Sequence, residues 1–64
     1  MDGTKRADLR SGMKVLVVQK AHQRSGELTE GVVQEILTNA AVHPHGIKVR
    51  LAGGVVGRVK KILD

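Results

Sequence analysis

The sequence predicts an all-β fold: a small antiparallel barrel of four to five strands, formed by a single domain of 64 residues. Short segments rich in valine, isoleucine and leucine recur along the chain, and glycine-rich connections separate them. A chain of this length buries only about 60% of the surface that its unfolded form exposes, so its core must be small. It is too short for two packed sheets, and closing one sheet into a barrel removes exposed edge strands.

Residues 1–11 are predicted as a polar lead-in with one helical turn, and residues 12–63 as the barrel. Ala7 and Leu9 are the only apolar residues between positions 4 and 11. Met13–Gln19 is rich in valine and bounded by turn residues, which predicts the first strand.

A polar connection, Lys20–Thr29, follows this strand and is long for a hairpin; functional residues are often found in such loops. The apolar spacing in Gly31–Thr38 fits either a strand or a short amphipathic helix. We favour a strand because a glycine and two adjacent valines are poor helix formers. Asn39–His45 is predicted as a loop, in which Pro44 cannot donate to a ladder and favours an extended His43.

Ile47–Leu51 alternates apolar and basic residues without exception, which makes it the clearest strand in the chain. A three-residue loop, Gly53-Gly54-Val55, is the register that keeps the apolar residues of this hairpin on one face. It predicts four facing pairs: Leu51 with Gly57, Val49 with Val59, Arg50 with Arg58, and Lys48 with Lys60. The outer face then carries a basic ladder, formed by Lys48, Arg50, Arg58 and Lys60, with Lys61 outside it.

Basic residues are unevenly distributed along the chain. Six of the eleven Lys and Arg residues precede Gly26, the other five follow Ile47, and the net charge is +5. This surplus favours polyanionic partners such as nucleic acid or an acidic protein. Like charges that face each other across a sheet destabilise it. The basic ladder therefore indicates either an anion-binding surface or a solvated face that keeps a small domain soluble.

Several kinds of site lack their usual residues. The chain has no cysteine, and two histidines around Pro44 are too few for a closed metal site, so we expect neither a metal nor another cofactor. It has no Phe, Trp or Tyr, on which single-strand binders stack bases. No apolar run is long enough for a signal peptide or a membrane span, so we expect a cytoplasmic protein without a membrane partner.

Two loops are candidates to extend the basic ladder. Arg24 either lies at a plain polar loop tip or contacts the same partner as the ladder. His43 and His45 either sit exposed in a turn or assist an anion site, where mildly acidic pH would add to the positive charge. No serine or threonine stands at a recognisable motif spacing from a histidine, so we do not expect an enzyme.

The segment Leu9–Val17, followed at a distance by Gly31–Ile36, resembles the KOW motif of ribosomal proteins and transcription elongation factors. In that family a glycine opens each of two strands, and the strands form half of an SH3-like barrel that binds RNA. The resemblance therefore implies an SH3-like, KOW-type barrel. The longer connection at Lys20–Thr29 departs from the motif.

A wider resemblance covers nearly the whole chain and rests on the segments Gln23–Gly26, Gly31, Ile36–Asn39, His43–Leu51 and Gly57–Val59. These segments are similar to those of the YwbE-type family of small bacterial proteins. That family has no assigned activity, so the resemblance implies a bacterial cytoplasmic setting and adds almost nothing about chemistry.

We expect a nucleic-acid-binding module that contacts the phosphates of structured RNA, in a ribosomal or translational setting. The candidate contact residues are Arg24, His43, His45, Lys48, Arg50, Arg58 and Lys60. The alternative is a protein-interaction module that docks its basic face on an acidic partner. The identity of the partner, its sequence specificity and the oligomeric state stay open at this point.

Overall fold

The computed structural model describes residues 3–63, which form four β-strands and two short 3₁₀ turns. The strands are Lys14–Val18 (β1), Thr29–Ile36 (β2), Lys48–Leu51 (β3) and Val56–Ile62 (β4). The 3₁₀ turns are Arg6–Asp8 and Lys20–His22. Neighbouring strands are antiparallel, and β1 pairs with both β2 and β4, so the sheet closes in the order β1-β2-β3-β4. The predicted all-β class and small antiparallel barrel are confirmed, with four strands.

The second strand confirms the choice of strand over helix and begins two residues earlier than predicted, at Thr29. Beyond its end, the amides of Leu37 and Thr38 still donate to the Lys48 carbonyl at 2.8 and 3.2 Å. No helix within residues 3–63 has the length and apolar character of a membrane span.

The barrel interior is filled by aliphatic side chains from all four strands and the segments beside them. The fully or nearly fully buried members of this core include Leu9, Val15, Val17, Val33, Ile47, Val49, Leu51, Val59 and Ile62. Complete burial of each such side chain contributes roughly 1.5–3 kcal/mol. The inward orientation predicted for Ile47, Val49, Leu51 and Val59 is therefore confirmed. Leu9 adds a core residue from the lead-in.

The predicted register of the β3–β4 hairpin is wrong by two residues. In the structure Lys48 faces Arg58, Val49 faces Gly57, and Arg50 faces Val56. The Leu51 amide donates to the Val55 carbonyl at 2.7 Å, which leaves Ala52, Gly53 and Gly54 as the loop.

Loop conformation explains this difference. Gly53 and Gly54 have φ angles of 99° and 94°, in the left-handed region that favours glycine. The predicted loop would have placed the β-branched Val55 at the last loop position, where the left-handed conformation is required. A shift of two residues keeps every side chain on its predicted face, so Lys48, Arg58 and Lys60 still lie outside the barrel.

The lead-in is hydrogen-bonded to the loop before β3. The Ile47 amide donates to the Gly3 carbonyl at 2.9 Å, and the His43 amide donates to the Thr4 carbonyl at 2.9 Å. The amide of Arg6, the first residue of the 3₁₀ turn, donates to the Ala41 carbonyl at 2.8 Å. The helical turn predicted in the lead-in is thus present, and this segment fixes the loop that carries His43 and His45.

Gly46 lies where this loop meets β4. Its φ is 102°, and a β-carbon at this position would overlap the carbonyl oxygen of Val59. The next residue, Ile47, accepts a hydrogen bond from the Val59 amide at 2.9 Å, which continues the β3–β4 pairing beyond the strand itself. A residue without a side chain is therefore required at position 46.

Replacement of Gly46 by alanine should lower the free energy of unfolding by more than about 2 kcal/mol, since the left-handed conformation alone disfavours an L residue by roughly 1–2 kcal/mol. Gly12→Ala is the matched control: its φ is 94°, but no heavy atom lies within 4 Å of the added β-carbon. Urea denaturation of both variants measures the difference. Equal losses at the two positions would contradict the close approach of residue 46 to β4.

Candidate functional site

Two adjoining concave surfaces lie on the outer side of β4. The first has a volume of about 430 Å³ and is lined by Gln23, His45, Arg58 and Lys60. The second has a volume of about 440 Å³; its polar lining is Lys20, Gln23, Lys48 and Arg58, and its apolar lining is Val18, Val56 and Gly57. Because both contain Gln23 and Arg58, we treat them together as the basic groove.

The basic groove gathers positive charge from distant parts of the sequence. Lys20 comes from the connection after β1, Lys48 from the start of β3, and Arg58 and Lys60 from β4. None of the lining residues within positions 3–63 is Asp or Glu. The four cations are therefore available to an anionic ligand.

Arg58 and Lys60 are held in place by backbone carbonyl groups. Arg58 Nη1 donates to the Gly46 carbonyl at 3.1 Å, and Lys60 Nζ donates to the His45 carbonyl at 3.0 Å. A guanidinium carries five N–H donors and an ammonium three, so most donors of both groups remain for a ligand. These hydrogen bonds orient the two cations before any ligand arrives.

A β-bulge in β4 separates Lys60 from Lys61. Val17 faces Val59 whereas Leu16 faces Lys61, so Lys60 is the extra residue in the β1–β4 pairing. Lys61 lines neither part of the basic groove. Lys61 therefore lies outside the group of cations that line the groove, as predicted.

Local contacts shape the connection that supplies Lys20 and Gln23. The His22 carbonyl accepts from the Gly26 amide at 2.9 Å and from the Ser25 hydroxyl at 3.3 Å. The His22 imidazole lies 3.7 Å from the Glu27 carboxylate. These contacts lie within the connection, and Gln23 lines the groove together with Arg58 of β4.

The histidine pair adjoins the first part of the groove, which His45 lines. The His43 and His45 ring centroids are 5.8 Å apart, and the His45 amide donates to His43 Nδ1 at 3.2 Å. Nδ1 must be unprotonated to accept this hydrogen bond. Partial loss of solvent lowers the pKa of His43 below its ordinary value of 6.5, and the charges of Arg58 and His45 lower it further. These effects favour the neutral form of His43 in the free protein.

The predicted basic ladder is only partly assembled. Lys48, Arg58, Lys60 and His45 line the groove, and His43 contacts His45. Arg50 does not line it: it forms an ion pair with Glu35, its neighbour on β2, at 2.6 Å between Nη1 and Oε1. Arg50 also faces Val56 rather than Arg58, so the ladder of four cations in two facing pairs is a wrong prediction.

Arg24 is exposed and lines neither part of the groove. Its neighbour Gln23 lines both parts, and Lys20 lines the second part. Reasoning from the sequence missed these two residues. Their position in an unusually long connection was the available signal, but the path of that connection depends on the 3₁₀ turn Lys20–His22.

Between residues 3 and 63, no group of three His, Asp or Glu side chains lies close enough together to hold a metal ion.

The comparisons with known proteins agree with the resemblance over the whole chain. Residues 2–62 match the family described as "Uncharacterized conserved protein (DUF2196)". All 64 residues align at 48% identity with "Uncharacterized protein YwbE" of Bacillus subtilis (strain 168), covering 98% of that protein. No solved structure matches the chain. A family match over this length, together with a relative of this similarity, shows that the chain belongs to the YwbE-like family DUF2196.

Proposed function

We propose that this protein binds structured RNA through phosphate contacts in the basic groove. The observation that carries the proposal is the convergence of Lys20, Lys48, Arg58 and Lys60 around a concave surface without a carboxylate among its lining residues in positions 3–63. The Arg58 guanidinium suits bidentate contact with a phosphate, and the lysines act as point charges. The protein would act in the cytoplasm as a binding module, without catalysis.

The spacing of the cations favours a ligand with regularly repeated charge. Lys48 and Arg58 face each other across two strands, which places their β-carbons about 5 Å apart. Arg58 and Lys60 are two residues apart on β4, and both line the first part of the groove. A nucleic-acid backbone presents phosphates at regular intervals, whereas acidic side chains on a protein are irregularly spaced. Phosphate contacts position the ligand without reading its sequence.

RNA affinity should depend steeply on salt. If each of the four groove cations neutralises one phosphate, the logarithm of the association constant should fall by about 3 per tenfold rise in salt, at roughly 0.7–0.9 per phosphate. Fluorescence anisotropy with a labelled hairpin RNA measures this slope. A slope near zero would refute binding through phosphates.

The residues responsible can be assigned with two lysine variants. Lys48→Ala, at the first position of β3, should weaken binding and reduce the slope by about 0.7–0.9. Lys14→Ala, at the first position of β1 and outside the groove, is the matched control and should leave the slope unchanged. An equal effect of both variants would place the RNA elsewhere on the protein.

Binding should also strengthen as the pH falls. A bound phosphate favours the protonated imidazole and so raises the pKa of His43, which lies below 6.5 in the free protein. Protonation of Nδ1 also breaks the hydrogen bond from the His45 amide, which opposes part of this rise. The complex then takes up a proton, and affinity rises as the pH falls through the pKa of His43 in the complex towards its lowered pKa in the free protein. Dissociation constants at constant salt from about pH 8 to about pH 5 test this prediction.

His43→Asn is the matched variant for this titration, because it keeps a hydrogen-bond acceptor near Nδ1 but does not titrate. It should weaken the pH dependence of binding. An unchanged dependence in this variant would show that His43 takes no part.

The alternative is that the groove binds an acidic protein. Nuclease treatment of protein purified from cells distinguishes this alternative from RNA binding. RNA that co-purifies and is released by nuclease supports the proposal. A nuclease-resistant complex with an acidic protein supports the alternative and contradicts the proposal.

A further inference from the structure

The second part of the basic groove differs from the first because it has an apolar floor. Val18, Val56 and the backbone of Gly57 line it, together with Lys20, Lys48, Gln23 and Arg58. Its volume of about 440 Å³ lies within the range of about 300–1,000 Å³ usual for small-molecule sites. A phosphate group alone gains nothing from contact with valine side chains. The floor therefore suits a ligand with an apolar, uncharged part beside its anionic part.

Gln23 supplies hydrogen-bonding groups at the entrance to this floor. Its side-chain amide offers two donors and two acceptor lone pairs. Gln23 is exposed, and no hydrogen bond within residues 3–63 engages that amide. Arg58 adds a planar guanidinium, which can stack on a ring. A flat ring with donors and acceptors at its edge matches this combination, and a nucleobase has that chemistry.

We infer that the second part of the groove binds one unpaired nucleobase of the RNA, and this inference rests on the proposed function. Because the two parts share Gln23 and Arg58, a base on the valine floor would leave its phosphate beside His45, Arg58 and Lys60. A base inside a duplex is stacked and paired and cannot reach the floor. The preferred ligand is therefore a structured RNA with a nucleotide exposed in a loop or bulge.

Two RNA hairpins of equal charge test the inference. Both contain a one-nucleotide bulge; in the second, the bulged nucleotide is abasic, so that the phosphate remains and the base is absent. The protein should bind the first hairpin about threefold to tenfold more tightly, which is the range supplied by one or two net hydrogen bonds. Anisotropy titrations at several salt concentrations give this ratio and the salt slope together.

Variants of the proposed pocket locate the base. Gln23→Ala removes the amide, and Val56→Thr makes the floor polar at nearly unchanged shape. Each variant should bring the ratio of the affinities for the two hairpins closer to one. Gln34→Ala is the matched control, since Gln34 is exposed on β2 and lines neither part of the groove. It should keep the full preference.

The remaining outcomes overturn either the base pocket alone or the base pocket together with the proposed function. Equal binding of both hairpins with the salt slope intact overturns the base pocket and leaves the proposed function standing. A preference that neither pocket variant reduces places the base elsewhere and also overturns it. Absence of salt-dependent binding overturns both. If adenosine 5′-monophosphate, but not ribose 5-phosphate, binds with the same dependence on Gln23 while the hairpins bind equally, the occupant is a free nucleotide and the RNA inference is wrong.

Discussion

The pairing of residues 45–47 with β4 is the constraint on which both the barrel and the groove depend. Through it the Val59 amide meets the Ile47 carbonyl, Arg58 reaches the Gly46 carbonyl, and Lys60 reaches the His45 carbonyl. Alternate residues of this stretch of β4 face the core and the groove, so one set of hydrogen bonds fixes both. Gly46 makes the approach possible because it has no β-carbon. A change that moves this segment should therefore disturb stability and charge placement together.

A small aliphatic core has to support this concentration of charge. The chain has no Phe, Trp or Tyr, and the core consists of valine, leucine and isoleucine. Lys48 faces Arg58 directly, which destabilises the sheet. The Arg50–Glu35 ion pair offsets one charge beside the groove, although an exposed pair of this kind contributes only about 0–1 kcal/mol to stability. A carboxylate thus neutralises Arg50 beside β2, whereas the cations that line the groove have no acidic residue among them.

Alternation and glycine placement made most of the fold predictable from the sequence. Because Ile47–Leu51 alternates strictly, only its odd-numbered residues can face the core. The sequence therefore predicted which side chains face inward, but not which residues pair across the hairpin. The register depends on which residues take the left-handed conformation of the turn, and segregation of the two faces does not distinguish loops that differ by two residues in register. The resemblance to the KOW motif stays a prediction.

The site was less predictable because it depends on contacts between distant segments. Lys48, Arg58 and Lys60 could be grouped by strand alternation alone, whereas Lys20 and Gln23 reach the groove only through the folded path of their connection. The pairing of Arg50 with Glu35 depends on the β2–β3 register, which shifts between Val33 and Glu35. No local pattern in the sequence encodes that shift.

Chemical-shift mapping with a bulged hairpin RNA shows where on the barrel the RNA binds. We expect backbone and side-chain signals to change most at the groove residues Lys20, Gln23, His45, Lys48, Arg58 and Lys60. Signals of Lys14, Leu16, Glu30 and Val32, on the paired β1 and β2 strands outside the groove, should stay unchanged. Changes centred on those β1–β2 residues, or no changes at all, would show that RNA does not bind in the basic groove.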